Sequence, residues 1–157
     1  MYFGLNEDQT MLQDSVRRFL EGASELEAVR GFAEGDTALA ATLQDGLMEL
    51  GAPFVLLPEA QGGLGLGLLE AALIQEQLGR HVAPSGYAAT YGMAIIGLRE
   101  AGDSDWLDRI ASGEVVMGVG LTEATGAREG GPMNAGGLNR TICIGSRCFC
   151  FSTSTAF

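Results

Sequence analysis

Four glycines, at positions 62, 63, 65 and 67, stand between an apolar run that closes at Pro58 and a helical pattern that opens at Leu68. No feature of the chain constrains its fold more. Phe54 to Leu57 is too short to be a helix, and Pro58 ends it. Residues 59–67 predict a glycine turn whose backbone is free to take positive φ. From Leu68 the spacing becomes helical. Leu69, Leu73 and Gln77 share one line, and Ala72, Glu76 and Arg80 share another. Leu69, Ala72, Leu73 and Leu78 predict the apolar stripe, and Gly79 suits the helix end. The stretch from Phe54 to Arg80 therefore reads as an apolar segment, a glycine turn and a packed helix.

The rest of the chain supplies elements for that unit to pack against. Asn6 predicts an N-cap, with Gln9 as its capping-box partner and Glu7 and Asp8 at the positive end of the helix dipole. Leu12, Val16, Phe19 and Leu20 recur at helical spacing, so a first helix should run to about Glu21 and stop at Gly22. Residues 23–36 allow one helical turn at Leu26, Ala28 and Val29, within a loop marked by Gly31 and Gly35. Asp36 can cap a helix over Thr37–Leu50, ended by Gly51 and Pro53. Ser85 is available to cap a helix over roughly Tyr87–Ala101. That helix is small and apolar nearly all round, the pattern of a buried central helix. Asp103 or Ser104 caps a short last helix that ends near Ser112 and Gly113.

The period then changes. Val115–Leu121 is β-branched, apolar and bounded by turn residues, and reads as a strand. Residues 124–137 form a Gly/Ala-rich loop. Two weaker strands follow, Leu138–Ile144 and Arg147–Ser152. The sequence thus divides into a helical domain over 1–113 and the start of a β-domain over 114–157, whose tail is expected to be loose for want of strand partners. At 157 residues the chain is one domain, or one and part of another.

Composition narrows the function classes. Net charge is −11, and all nine cationic residues are Arg. So acidic a chain offers no general attraction to nucleic acid or to an anionic membrane surface. The longest uncharged stretch, Val82–Leu98, contains Pro84 and two tyrosines and is too short and polar to span a bilayer. No basic segment precedes an apolar run at the N-terminus, so the expectation is a cytoplasmic protein with reduced thiols. Cys143, Cys148 and Cys150 are spaced C-x₄-C-x-C. A structural zinc site needs four ligands, and the only His, His81, is far away in sequence, so no metal site is assigned. The tail from Cys143 carries no acidic residue, a break in composition within a very acidic chain.

Two motifs stand in order along the chain. The first is Pro58-Glu-Ala-Gln-Gly-Gly-Leu-Gly65, whose helix ends Glu76-Gln-Leu-Gly-Arg80. The second is Val119-Gly-Leu-Thr-Glu123, preceded by Ala111-Ser-Gly-Glu114. Together, with the first helix, they resemble the acyl-CoA dehydrogenases over roughly residues 3–123. The resemblance implies a mainly α fold: the N-terminal helical bundle of that family followed by an incomplete β segment. It implies FAD as cofactor and an acyl-CoA, fatty or steroid side chain, as substrate. Assembly would be a homo- or hetero-oligomer, including one with a full-length relative.

Residue roles follow from the same resemblance. Leu121, Thr122 and Glu123 would meet the flavin, with Thr122 against the isoalloxazine. Taken alone, the same turn is an ordinary strand end. Where the family usually reads Pro-Gly-Ala-Gly-Ser-Asp near the FAD pyrophosphate, this chain has Ala124-Thr-Gly-Ala-Arg-Glu129, with Arg128 at the Ser position. An Arg there can pair with a phosphate or point to water. Tyr87, Tyr91 and Met93 fall on the helix that lines the acyl pocket in relatives, and equally suit core packing. The family's catalytic base is a carboxylate of a C-terminal helical domain. Glu70, Glu76 and Glu123 do not replace it, so no catalytic residue is assigned. Three readings remain: part of such an enzyme, inactive alone; a helical interaction module docking on a full-length paralogue; or a truncated or frameshifted product without function.

Overall fold

The computed structural model describes residues 4–120, 138–144 and 147–153. Six α-helices lead into a small antiparallel sheet: α1 Glu7–Ala23, α2 Leu26–Ala33, α3 Ala38–Glu49, α4 Leu68–Arg80, α5 Ile95–Ala101 and α6 Ser104–Ala111. Short 3₁₀ turns at Ala52–Phe54 and Glu59–Gln61 join α3 to α4, and a π-helical segment, Ala88–Ala94, runs directly into α5. The strands are β1 Gly118–Gly120, β2 Leu138–Ile144 and β3 Arg147–Thr153, in the order β1-β2-β3.

Helix starts follow local chemistry. The Asn6 side chain accepts from the Gln9 N–H at 2.7 Å, and the Gln9 side chain accepts from the Asn6 N–H at 3.1 Å, which is the expected capping box. Asp103 caps α6 by accepting from the Trp106 N–H. Asp36 accepts from the Ala38 N–H at 2.9 Å, at the start of α3. Ser85 makes no such cap: no side-chain bond starts the π segment.

Several expected boundaries move. α1 runs through Gly22 to Ala23, because a glycine with open space around it does not itself stop a helix held on both sides by packing. The turn expected at Leu26 extends to an eight-residue α2. On α4 the buried residues are Ala71, Leu73, Ile74, Gln77 and Leu78. Leu69, expected in the stripe, is 52 % exposed, and Ala72 is exposed too. The core-facing line is thus turned from the one that the spacing suggested, because α1 lies against α4 and selects which line is covered.

The core is built from five of the six helices, and α2 packs against it through the partly buried Ala28 and Val29. Val16 and Leu20 of α1, Leu43 and Leu47 of α3, Ile74 and Leu78 of α4, Ile95 and Leu98 of α5, and Ile110 of α6 are essentially inaccessible. Each such side chain contributes on the order of 1.5–3 kcal/mol on burial. α1 and α3 approach closely at Gly46: a Cβ there would lie 2.1 Å from the ring of Phe19. Leu57, the last residue of the apolar run, is also fully buried.

The glycine turn is pinned to that run by its backbone. The Leu64 N–H donates to the Phe54 carbonyl, that of Leu66 to Val55 and that of Gly65 to Leu57, at 2.8–2.9 Å. Gly62 and Gly65 take positive φ, 74° and 59°, as a glycine turn requires. The close backbone contacts leave the leucines between and after the glycines facing out: Leu64, Leu66, Leu68 and Leu69 are 41–64 % exposed.

The strand expected over Val115–Leu121 is shorter. Regular pairing covers Gly118–Gly120, Val115 and Met117 are buried without strand pairing, and Leu121 lies outside the described residues. The expectation that the tail finds no strand partner is overturned. β1 pairs β2 antiparallel, and β2 pairs β3 from Leu138↔Thr153 to Ile144↔Arg147.

Candidate functional site

The helix expected to be buried on every side is two-faced. Tyr87 and Tyr91 are four residues apart and both turn into the core, 2 % and 3 % exposed. Their rings pack with centroids 5.8 Å apart, tilted by 46°. The Tyr87 hydroxyl donates to the Ala52 carbonyl at 3.2 Å, and burial pushes its pKa well above the ordinary tyrosine range. The Tyr91 hydroxyl accepts from Gln44 Nε2 at 2.6 Å and reaches toward Met48 Sδ at 4.0 Å. Both hydroxyls are engaged within the bundle. Met93 does the opposite and is 44 % exposed, as is Ile96 at 37 %. Of the three residues expected on a substrate wall, Met93 faces outward and the two tyrosines anchor the helix from behind.

Between the tyrosines sits a residue that the sequence reading passed over. Thr90 is fully buried, and its hydroxyl makes two bonds to one residue: it donates to the Met117 carbonyl and accepts from the Met117 N–H, both at 3.0 Å. A buried polar group requires a partner, and here one hydroxyl satisfies both backbone groups of Met117. The visible signal was a Thr among Ala, Tyr, Met and Ile on a helix destined for the core. The consequence reaches beyond the helix. Met117 directly precedes β1, which packs on the π segment. The strand leading to Leu121, Thr122 and Glu123 is thereby tied to the helix that carries Met93. Those three residues and Arg128 lie outside the described residues.

Glu70 and Glu76 hold helices together. Glu70 Oε1 accepts from Gln9 Nε2 at 2.8 Å, and its Oε2 accepts from the Gly67 N–H at 3.0 Å. These bonds and the residue's own N–H, led by Gln9, hold its carboxyl below the usual range, against a small opposing effect of burial. Glu76 accepts from Gln13 at 3.2 Å and pairs with Arg80 at 2.7 Å. α4 is in this way bound to α1 by two carboxylate–amide bonds. A carboxyl with a lowered folded-state pKa stabilises the fold above its unfolded pKa. That stability is lost as pH falls through the folded value. Glu70→Gln is therefore expected to flatten the acid side of the stability profile. Glu70 is only partly buried, so solvent screening limits the difference to about 0.5 kcal/mol. Urea unfolding at pH 7 and in the acid carboxylate range measures it, and equal pH slopes for both proteins would contradict the assignment.

His81 caps α4, with Nδ1 2.9 Å from the Gln77 carbonyl, and its own carbonyl accepts from the Ser24 hydroxyl. Among the described residues no group of three or more His, Cys, Asp or Glu is placed to hold a metal ion. No described helix is long and apolar enough to cross a membrane.

Residues 6–114 match the family profile "Acyl-CoA dehydrogenase, N-terminal domain". The chain is 29 % identical over 129 residues to (2S)-methylsuccinyl-CoA dehydrogenase of Cereibacter sphaeroides, covering 76 % of this chain and 23 % of that protein. It is 31 % identical over 110 residues to acyl-CoA dehydrogenase IpdE2 of Mycolicibacterium smegmatis, covering 69 % and 35 %. Among solved structures it resembles the Tcur3481-Tcur3483 steroid ACAD, with a TM-score of 0.65, 32 % identity, and coverage of 73 % of this chain and 32 % of that one. The chain spans roughly a quarter to a third of the length of these relatives. The six-helix bundle, the glycine turn and the matched span agree: the chain belongs to the acyl-CoA dehydrogenase family, whose N-terminal helical domain it contains.

Proposed function

We propose that these residues form the helical wall, and the strand leading to the cofactor, of a flavoprotein that dehydrogenates an acyl-CoA between its α- and β-carbons. In that reaction a base removes the α-proton while a hydride leaves the β-carbon, and FAD supplies its acceptor. The observation that carries the reading is the pair of bonds between Thr90 and Met117. They hold β1, the strand that leads toward Thr122, against the helix on which Met93 is exposed. Thr122 would donate toward the flavin edge, Leu121 and Glu123 would flank it, and Arg128 would answer a pyrophosphate charge. Met93 would offer apolar contact to the acyl chain, with Tyr87 and Tyr91 fixing the helix behind it. Glu70 and Glu76 would not serve as that base, being committed to Gln9, Gly67, Gln13 and Arg80.

A polypeptide of these 157 residues is therefore expected to purify colourless, bind FAD weakly and fail to reduce an artificial electron acceptor with any acyl-CoA. A flavin between one wall and solvent buries little of its surface, and loss of a general base alone costs about 10²–10⁴-fold. A visible spectrum during FAD titration, followed by anaerobic addition of acyl-CoAs, checks this. A stoichiometric yellow protein that bleaches would overturn it and mean that a second copy completes the site.

A second reading rests on the leucine row. Leu64, Leu66, Leu68 and Leu69 are all exposed within one short stretch, and such a patch suits a protein interface. In this reading the chain docks on a full-length paralogue without catalysing anything itself. Sedimentation of the mixture distinguishes the two: a stable complex that Leu66→Glu abolishes, with no gain in turnover, would favour docking.

A further inference from the structure

We infer that the leucine row is a docking surface for a cationic amphipathic helix, one whose apolar stripe is flanked by Lys or Arg. The inference rests on the docking reading of Leu64, Leu66, Leu68 and Leu69 and adds the chemistry of the partner. Gly63, Gly65 and Gly67 alternate with the leucines, so the row presents side chains with gaps between them. Backbone bonds from Leu64 to Phe54 and from Leu66 to Val55 hold it in place. A helix with apolar residues at i, i+3, i+4 and i+7 offers a ridge to fill such a surface.

The charges around the row select the sign of that partner. α1 and α4 run parallel, since Gln9 meets Glu70, Gln13 meets Glu76 and Ser24 meets His81 in rising order. Both helices therefore start at the end where the row lies. Glu7 and Asp8 occupy the first turn of α1. Glu70 accepts from Gln9 and from the Gly67 N–H, between Leu66 and Leu68. Glu59 Cγ lies 3.5 Å from where a Cβ at Gly65 would stand. Glu7, Asp8 and Glu59 are exposed and make no ion pair among the described residues. Two helix N-termini add about half a positive charge each, which leaves this end net negative.

The cations stand elsewhere or are engaged. Arg17 and Arg80 lie about 15 Å or more along their helices from the first turns, beyond a Debye length of about 8 Å. Arg109 of α6 is paired with Glu114 at 2.9 Å. α6 packs on the turn that begins at Glu59 and brings the exposed Asp105 and Asp108. Arg99 stays near, as a donor to the Leu56 carbonyl at 3.2 Å, one cation against Glu7, Asp8, Glu59 and Glu70. A second copy of the chain would set two acidic ends face to face, which disfavours self-pairing through the row.

Fluorescence anisotropy of labelled synthetic peptides, titrated with the full chain, tests the inference. The probes are a helix of about 18 residues with Leu and Lys at helical spacing, the same helix with Glu in place of Lys, and a scrambled Leu/Lys sequence. The Leu/Lys helix should bind at least about tenfold more tightly than either control, and less tightly as salt rises. Leu66→Ser with Leu68→Ser leaves the charge unchanged and should weaken binding about tenfold. Asp8→Asn with Glu59→Gln should weaken it about threefold and reduce its dependence on salt. Glu25→Gln with Glu27→Gln, beyond the other end of α1, should leave it unchanged. All the substituted side chains are exposed, so the fold should tolerate each pair. Equal binding of the Leu/Glu helix would overturn the inference while keeping the leucines as a docking surface. Binding by none of the peptides would overturn both. Loss of binding in the Glu25/Glu27 pair, or none in the leucine pair, would reduce the effect to the general attraction of a cation to an acidic chain and overturn the inference. So would a dimer in sedimentation that the leucine pair abolishes, since a second copy would then be the occupant.

Discussion

Gly63→Ala is expected to lower the stability of the helical domain by about 3 kcal/mol or more, beyond what a surface glycine substitution costs. A Cβ at Gly63 would lie 2.0 Å from the carbonyl oxygen of Leu57 and 2.3 Å from its carbonyl carbon. The obstacle is backbone, so no rotamer change relieves it. Leu57 is itself fully buried, and its carbonyl accepts from the Gly65 N–H at 2.9 Å. Moving it would strain both the core and the turn. Gly79→Ala is the control: a Cβ there meets nothing within 4 Å, and it lies in a helix, where Ala is favoured over Gly by about 1 kcal/mol. The two variants should shift the urea midpoint in opposite directions. A Gly63→Ala protein as stable as the wild type would mean that the turn does not sit on Leu57 in this way.

The second large effect is expected at Thr90. Thr90→Val keeps the shape and removes the hydroxyl, which leaves the N–H and the carbonyl of Met117 without their buried partner. Each orphaned group costs about 1–3 kcal/mol, so a loss of about 3 kcal/mol is expected, unless the strand leaves to find water. In that case the loss takes the form of local opening. Hydrogen exchange separates the outcomes: amides of 115–120 should exchange much faster in Thr90→Val, while those of α1 and α4 change little. Thr90→Ser keeps the hydroxyl and gives up one methyl, near 1 kcal/mol, and should retain strand protection. If Val and Ser behave alike at residues 115–120, the hydroxyl is not what holds β1. The same pair of variants bears on the proposed function, since the strand that leads toward Thr122 would no longer be held to the helix that carries Met93.

Much of the fold was legible in the sequence because the chemistry that sets it is short-range. Asn6 with Gln9 and Asp103 with Trp106 make their bonds within three residues, so any chain with those residues has the same option. Gly51 and Gly102 take positive φ at helix ends for the same local reason. The motifs around the glycine turn and Val119–Glu123 pointed to the family, and the two weaker strands expected in the tail match β2 and β3 almost to the residue. The acidic charge and the absence of Lys were likewise written in composition.

What only the tertiary structure decided depends on residues far apart in sequence. On α4, spacing allowed several apolar lines, and contact with α1 chose Ala71, Ile74 and Leu78 while leaving Leu69 out. The helix after Pro84 looked apolar on every side, since Ala, Met and Ile do not say which face meets a neighbour. Packing against Ala52, Gln44 and Met48 drew the tyrosines inward and left Met93 outside. Thr90 is the clearest case. In sequence it is a mildly unfavourable helix residue. Its role appears only when Met117, 27 positions later, comes within 3.0 Å and offers both a donor and an acceptor. Local patterns determine which elements form and where they begin; the pairing of one buried hydroxyl with a distant backbone is a property of the assembled core.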